Sequence, residues 1–135
     1  MGALQANPEC VQAYVRLGSV METATKYDAA QAAYEKAISL SAADPYAHAA
    51  LCEMLLRTER PDGARQAAER AVAAMPQSAI AHTLLGTAYC QLTRPREAEK
   101  SLRTAVELDP KFYLAHNTLG IALKAQGNPQ SIVRW

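Results

Sequence analysis

Shifted by 34 residues, the chain falls into register with itself. The three histidines show it most plainly: 82 − 48 = 34 and 116 − 82 = 34 for His48, His82 and His116. Leu17, Leu51, Leu85 and Leu119 form a second column, and Gly18, Cys52, Gly86 and Gly120, all small, form a third. Ala30, Ala64 and Ala98 recur together, as do Ala37, Ala71 and Ala105, and Pro61, Pro95 and Pro129. Pro8, Pro76 and Pro110 share one more column, with Ala42 as its exception. A period of this length marks a repeat array, in which each unit buries its apolar face against its neighbours.

Each period holds two helical signals. Leu85, Ala88, Tyr89 and Leu92 recur at i, i+3, i+4 and i+7, and Ala98, Leu102, Ala105 and Val106 at i, i+4, i+7 and i+8. Both patterns are one-sided apolar stripes at helical spacing. The short break between them ends in proline. Pro61, Pro95 and Pro129 suit the first helical position, where no N–H is needed. Asp44 and Ser78 suit the N-cap of the other helix, and Asn128 that of the last one. The spacing predicts first helices near 11–24, 45–58, 79–92 and 113–126. Second helices fall near 28–41, 61–74 and 95–108, with a partial one at 129–135. Aromatics make up only 6% of the chain and alanine is abundant, which favours close-packed helices over a sheet.

The unit of Leu85, Gly86, Tyr89, Ala98, Leu102, Ala105 and Pro110 resembles the tetratricopeptide repeat family over nearly the whole chain. The resemblance implies an all-α fold: a right-handed superhelical solenoid of antiparallel helix-turn-helix repeats with a 34-residue period. In that register residues 1–10 are the end of a preceding repeat, full repeats run 11–44, 45–78 and 79–112, and 113–135 is a truncated fourth. Ile132 stands where other repeats carry alanine, and no polar capping helix follows it.

The histidine column, headed by Tyr14, takes a position where the family often has a tryptophan or another bulky ring. A packed histidine there can bury its ring face and satisfy one nitrogen with a carbonyl. A shared metal fits poorly. Stacked equivalents lie roughly 8–10 Å apart, whereas two zinc-bound nitrogens sit less than about 4 Å apart. The cysteines, at 10, 52 and 90, are too widely spaced for a zinc site and odd in number, so reduced thiols are expected. No nucleophile motif or clustered phosphate-binding glycines appear. A net charge of +1 gives no basic surface for nucleic acid or membrane lipid. No apolar run is long enough to span a bilayer, and the N-terminus lacks a signal-peptide pattern. The expectation is a cytoplasmic, non-enzymatic chain without cofactor or metal.

The resemblance also implies where binding occurs, because first helices line the concave surface of the family's superhelix. By register, the partner-binding candidates are Val15, Ser19 and Glu22 in the first unit and Tyr46, Glu53, Leu56 and Arg57 in the second. Ile80, Thr83 and Thr87 follow in the third, and Asn117, Ile121 and Lys124 in the fourth. Such a mixed, mildly apolar lining suits a peptide or an amphipathic helix. For Ile80 and Leu114, packing against neighbouring helices is the competing role. Relatives that bind chaperone C-terminal carboxylates use lysine, asparagine and arginine at positions held here by Val15, Ser19, Ala50, Ile80 and Leu84. None of these can clamp a carboxylate. Glycosyltransferase-linked relatives run an asparagine ladder through a column that here reads Arg16, Ala50, Leu84 and Thr118. The expected function is a protein–protein interaction scaffold, with self-association through an uncapped end as a further route. The alternative is a substrate-docking or regulatory segment of a larger enzyme, such as a glycosyltransferase or sulfotransferase.

Overall fold

The structure, a computed structural model, describes residues 8–127. They form seven α-helices: α1 (Pro8–Thr23), α2 (Tyr27–Leu40), α3 (Pro45–Arg57), α4 (Pro61–Ala74), α5 (Ala79–Gln91), α6 (Pro95–Leu108) and α7 (Tyr113–Ala125). No strand occurs among the described residues. Each helix packs on the next, and α1, α3, α5 and α7 also touch one another in succession. The arrangement is an all-α helical repeat solenoid. The backbones of the even-numbered helices stand further apart, and α2 and α4 meet through an Arg70–Glu35 ion pair of 2.8 Å. Close approach on one side and separation on the other curves the array, with the odd-numbered helices inside.

Local chemistry sets the helix ends. Pro61 and Pro95 open α4 and α6 at the first helical position. Asp44 accepts a hydrogen bond from the Tyr46 N–H, and Ser78 accepts one from the Ala81 N–H, each capping its helix. α1 starts at Pro8, three residues before the position the spacing suggested. Cys10 occupies the position of Asp44 and Ser78, so no capping side chain stops the helix there, whereas proline at the first position and Glu9 in the first turn favour an earlier start. The cap expected at Asn128, the helix expected at 129–135 and Ile132 lie outside the described residues.

Each α1–α2, α3–α4 and α5–α6 turn passes through one left-handed residue: Thr25 (φ 60°), Glu59 (φ 59°) and Thr93 (φ 61°), with Gly127 (φ 70°) in the same column. The closing hydrogen bonds repeat as well. The Thr25 N–H donates to the Glu22 carbonyl at 2.9 Å and the Lys26 N–H to the Met21 carbonyl at 2.8 Å. Glu59 and Arg60, and then Thr93 and Arg94, repeat this paired closure. It is the Schellman arrangement, which satisfies helix-end carbonyls and prefers glycine at the left-handed position.

Small residues let paired helices approach. Ala30, Ala64, Ala98, Ala37, Ala71 and Ala105 are all fully buried. A Cβ on Gly18 would lie 2.4 Å from Tyr34 Cε1, and one on Gly86 would lie 2.5 Å from Leu102 Cγ. The equivalent pair in the middle unit is Cys52 and Ala68, both 0% exposed. A larger residue on the odd helix is matched by a smaller one on the even helix, so the volume of the pair is shared differently between repeats. Most of the core lies under α1 to α5, and a smaller cluster of Ala98, Leu102 and Ala122 seats α6 and α7.

Candidate functional site

A groove of about 630 Å³ runs along the inner side of the array. α1 supplies Val15, and α3 supplies Pro45, Tyr46, Ala49, Ala50, Glu53 and Leu56. α5 supplies Ile80, Thr83, Leu84 and Thr87, and Leu114 and Thr118 come from α7, with Phe112 just before it. All four odd-numbered helices contribute, as the stacking of those helices requires.

The groove is more aliphatic than its residue types suggest. The Thr83 hydroxyl donates to the Ala79 carbonyl at 2.7 Å, Thr87 to Thr83 at 2.9 Å and Thr118 to Leu114 at 2.8 Å. Each proton is used within its own helix. Val15, Ala49, Ala50, Leu56 and Ile80 pack against the core from below while lining the groove from above. Ile80 therefore combines packing with a surface role, whereas Leu114 is 49% exposed. Tyr46, 74% exposed, stands at the rim.

Of the thirteen candidates read from the sequence, the groove gathers seven: Val15, Tyr46, Glu53, Leu56, Ile80, Thr83 and Thr87. Thr83 lies at its floor, 2% exposed. Ser19, Glu22 and Arg57 line a separate hollow with Thr23 and Tyr27. There the Glu22 carboxylate receives the Tyr34 hydroxyl at 3.0 Å through one oxygen and the Arg57 guanidinium through the other, with Arg57 Nε at 3.0 Å. Glu22 thus ties α1 to α2 and α3. Asn117, Ile121 and Lys124 are exposed on α7 and line neither the groove nor this hollow.

Sequence reasoning missed Pro45, Ala50, Leu84, Phe112 and Thr118 as groove residues. Ala50, Leu84 and Thr118 share one column, set aside because it lacked asparagine. Phe112, the chain's only phenylalanine, holds the position that Asp44 and Ser78 use for capping, and it makes no side-chain cap bond. A ring in place of a capping side chain was the available signal.

Burial shifts three of the protons near the core. Burial, followed by the hydrogen bond to Glu22, pushes the Tyr34 hydroxyl up to about 12. Burial pushes the Cys52 thiol up to about 12 as well, and burial raises Cys90. Low-pKa, accessible thiols are the reactive ones, so Cys52 behaves as a core residue.

Each histidine ring Nε2 meets the carbonyl six residues upstream: His48 that of Ala42 at 2.7 Å, His82 that of Pro76 at 2.9 Å and His116 that of Pro110 at 2.7 Å. Nε2 carries the proton, since a carbonyl only accepts. The bond pins each odd helix to the loop before it. Only His48 is fully buried, at 2% exposed; His82 is half-buried and His116 exposed. Among the described residues no three His, Cys, Asp or Glu side chains are placed to hold a metal ion. No described helix is long and apolar enough to cross a membrane.

Residues 22–88 and 83–131 each match a family model described as tetratricopeptide repeat. The first TPR of Spaghetti (RPAP3), solved bound to the HSP90 peptide SRMEEVD, is 22% identical with a TM-score of 0.76, covering 91% of this chain and 98% of that one. The Sgt2 TPR domain from Aspergillus fumigatus is 17% identical with a TM-score of 0.80, covering 94% and 85%. The second TPR domain of human RPAP3, solved with the HSP70 peptide SGPTIEEVD, is 20% identical with a TM-score of 0.72, covering 84% and 95%. These identities speak for the fold. No curated protein matches the chain in sequence.

Proposed function

The chain belongs to the tetratricopeptide repeat family, and from that premise we propose that it is a non-catalytic protein–protein interaction scaffold that binds a peptide or helical segment on its concave face. The observation that carries this reading is the groove itself: four successive odd-numbered helices present one continuous apolar surface. Burying apolar area is the general source of association free energy, at about 25 cal/mol per Å² before ordering costs. Solved neighbours with peptides bound, those of HSP90 and HSP70, support a peptide partner. Partner contacts centre on Tyr46, Leu56, Ile80 and Leu114, with Glu53 giving orientation.

The groove does not favour the enzyme-docking alternative. The column that carries an asparagine ladder in glycosyltransferase-linked relatives is here groove wall at Ala50, Leu84 and Thr118. The test is a paired substitution, Tyr46→Ala with Leu56→Glu. It removes a rim ring and places a charge against the apolar wall. Partner binding should fall at least tenfold while circular dichroism and the thermal midpoint show a folded array. Unchanged binding by the folded variant would refute the concave-face assignment.

A further inference from the structure

The groove has little to offer a peptide backbone. Its three threonine protons are already donated to helix carbonyls, at 2.7, 2.9 and 2.8 Å. The aliphatic side chains bring none. Glu53 and the Tyr46 hydroxyl are the remaining polar groups of its lining, and neither has a hydrogen bond or close ion pair among the described residues. An extended segment laid here would find the Tyr46 hydroxyl as the one free side-chain donor for its C=O groups, and only the threonine oxygens and Glu53 as acceptors for its N–H groups. No sheet edge is present among the described residues to pair with them. An α-helix satisfies its own backbone and needs only an apolar face to match.

Charge narrows the occupant further. Among the described residues the lining contains no lysine, arginine or histidine, and its one charged residue is Glu53. Arg57, the nearest cation on the same helix, is held by Glu22 in the neighbouring hollow. Arg16 and Asp44, one of each sign, line an adjoining hollow, and the Asp44 carboxylate accepts from the Tyr46 N–H. The groove therefore presents a single carboxylate, Glu53, beside an apolar floor. An acidic tail such as SRMEEVD would meet repulsion and find no donor for its carboxylates.

Resting on the groove assignment above, we infer that the occupant is an amphipathic α-helix whose apolar stripe is edged by lysine or arginine facing Glu53. The apolar stripe supplies the affinity and the basic edge sets the register over α3. Specificity comes equally from rejection, because an acidic edge would stand against Glu53 while Arg57, the cation on the same helix, is engaged by Glu22.

The test uses synthetic helices of about 14 residues, roughly 21 Å long, acetylated and amidated so that the ends carry no charge. One has leucines at i, i+3, i+4 and i+7 with two flanking lysines. A second has glutamates for those lysines. A third is the lysine peptide with a central proline, which breaks the helix. SRMEEVD with a free carboxylate is the fourth. Binding is read by fluorescence anisotropy and helix formation by circular dichroism at 222 nm. The lysine peptide should bind, gain helicity, and exceed the glutamate peptide about fivefold at low salt. That margin should shrink in 1 M salt, where the screening length is about 3 Å. The proline peptide and SRMEEVD should bind at least tenfold more weakly, and Glu53→Lys should reverse the lysine-over-glutamate preference. Equal or tighter binding of any of the other three peptides overturns the inference. If Tyr46→Ala abolishes such binding, the occupant's chemistry is wrong and the groove assignment survives. If none of the four binds, or Tyr46→Ala leaves binding unchanged, both fall.

Discussion

Replacing Gly86 with Cys and Leu102 with Ala would transplant into the third unit the pair that the second carries as Cys52 and Ala68. Alone, Gly86→Cys should destabilise. A Cβ there falls 2.5 Å from Leu102 Cγ and 2.8 Å from its Cδ2, on a side chain with no exposed surface into which to retreat. Overpacking costs about 1–3 kcal/mol, and the added sulfur puts this site at the upper end. Losing a helical glycine returns only a few tenths of that. Leu102→Ala alone removes a fully buried leucine at about 2–5 kcal/mol. Simple addition gives about 5 kcal/mol. The double variant should instead cost about 1–2 kcal/mol, because each change removes the defect created by the other. The favourable coupling is then about 3 kcal/mol, at the top of the range for residues in contact. Urea melts followed by circular dichroism measure it. At about 4 °C per kcal/mol for a chain of this size, thermal midpoints should separate the double variant from the additive sum by about 12 °C. A double variant as unstable as the sum would show that the two positions do not share one volume, and the complementarity described for the three units would fail.

Other perturbations have signs fixed by the structure. Thr93→Gly should raise stability by about 1 kcal/mol, because a branched residue at φ 61° is strained and glycine is not; Thr25→Gly should behave alike, and a lower melting temperature for either would contradict the left-handed turn. Stability should also fall in alkali. The folded-state values of Tyr34 and Cys52 are about 12 against ordinary values of 10.0 and 9.0, so the unfolded chain releases these protons first. Their contribution is fully present below pH 9 and disappears as pH rises towards 12. Tyr34→Phe should flatten the upper part of the melting-temperature profile relative to the parent, and identical profiles would refute the assignment.

The sequence displayed the fold because repetition multiplied each weak signal. One apolar stripe is ambiguous; several in register with the same prolines and alanines are not. α4 and α6 begin and end where spacing placed them, because proline fixed their starts. The start of α1 was hidden, since Cys10 breaks the capping column without naming a substitute. The groove was half legible. Register finds the helices that face inward, but it cannot show which side chains are already engaged. Glu22 and Arg57 satisfy each other across 35 residues, a relation no local pattern encodes. The Thr83 and Thr87 hydroxyls looked available and are spent on their own helix. The left-handed turn residues were invisible because threonine and glutamate stand where the geometry would predict glycine.

The asymmetry between inner and outer helices has a mechanical consequence. Along the inside, α1, α3, α5 and α7 touch in succession, whereas α2 and α4 are bridged by the two long side chains of Arg70 and Glu35. A strut of that kind stretches or releases at little cost, since an exposed ion pair is worth about 0–1 kcal/mol. The array is thus a strip with a stiff inner edge and a compliant outer one. Salt would screen that strut on the back of the molecule, whereas the packed inner helices that hold the cradle in front would not feel it.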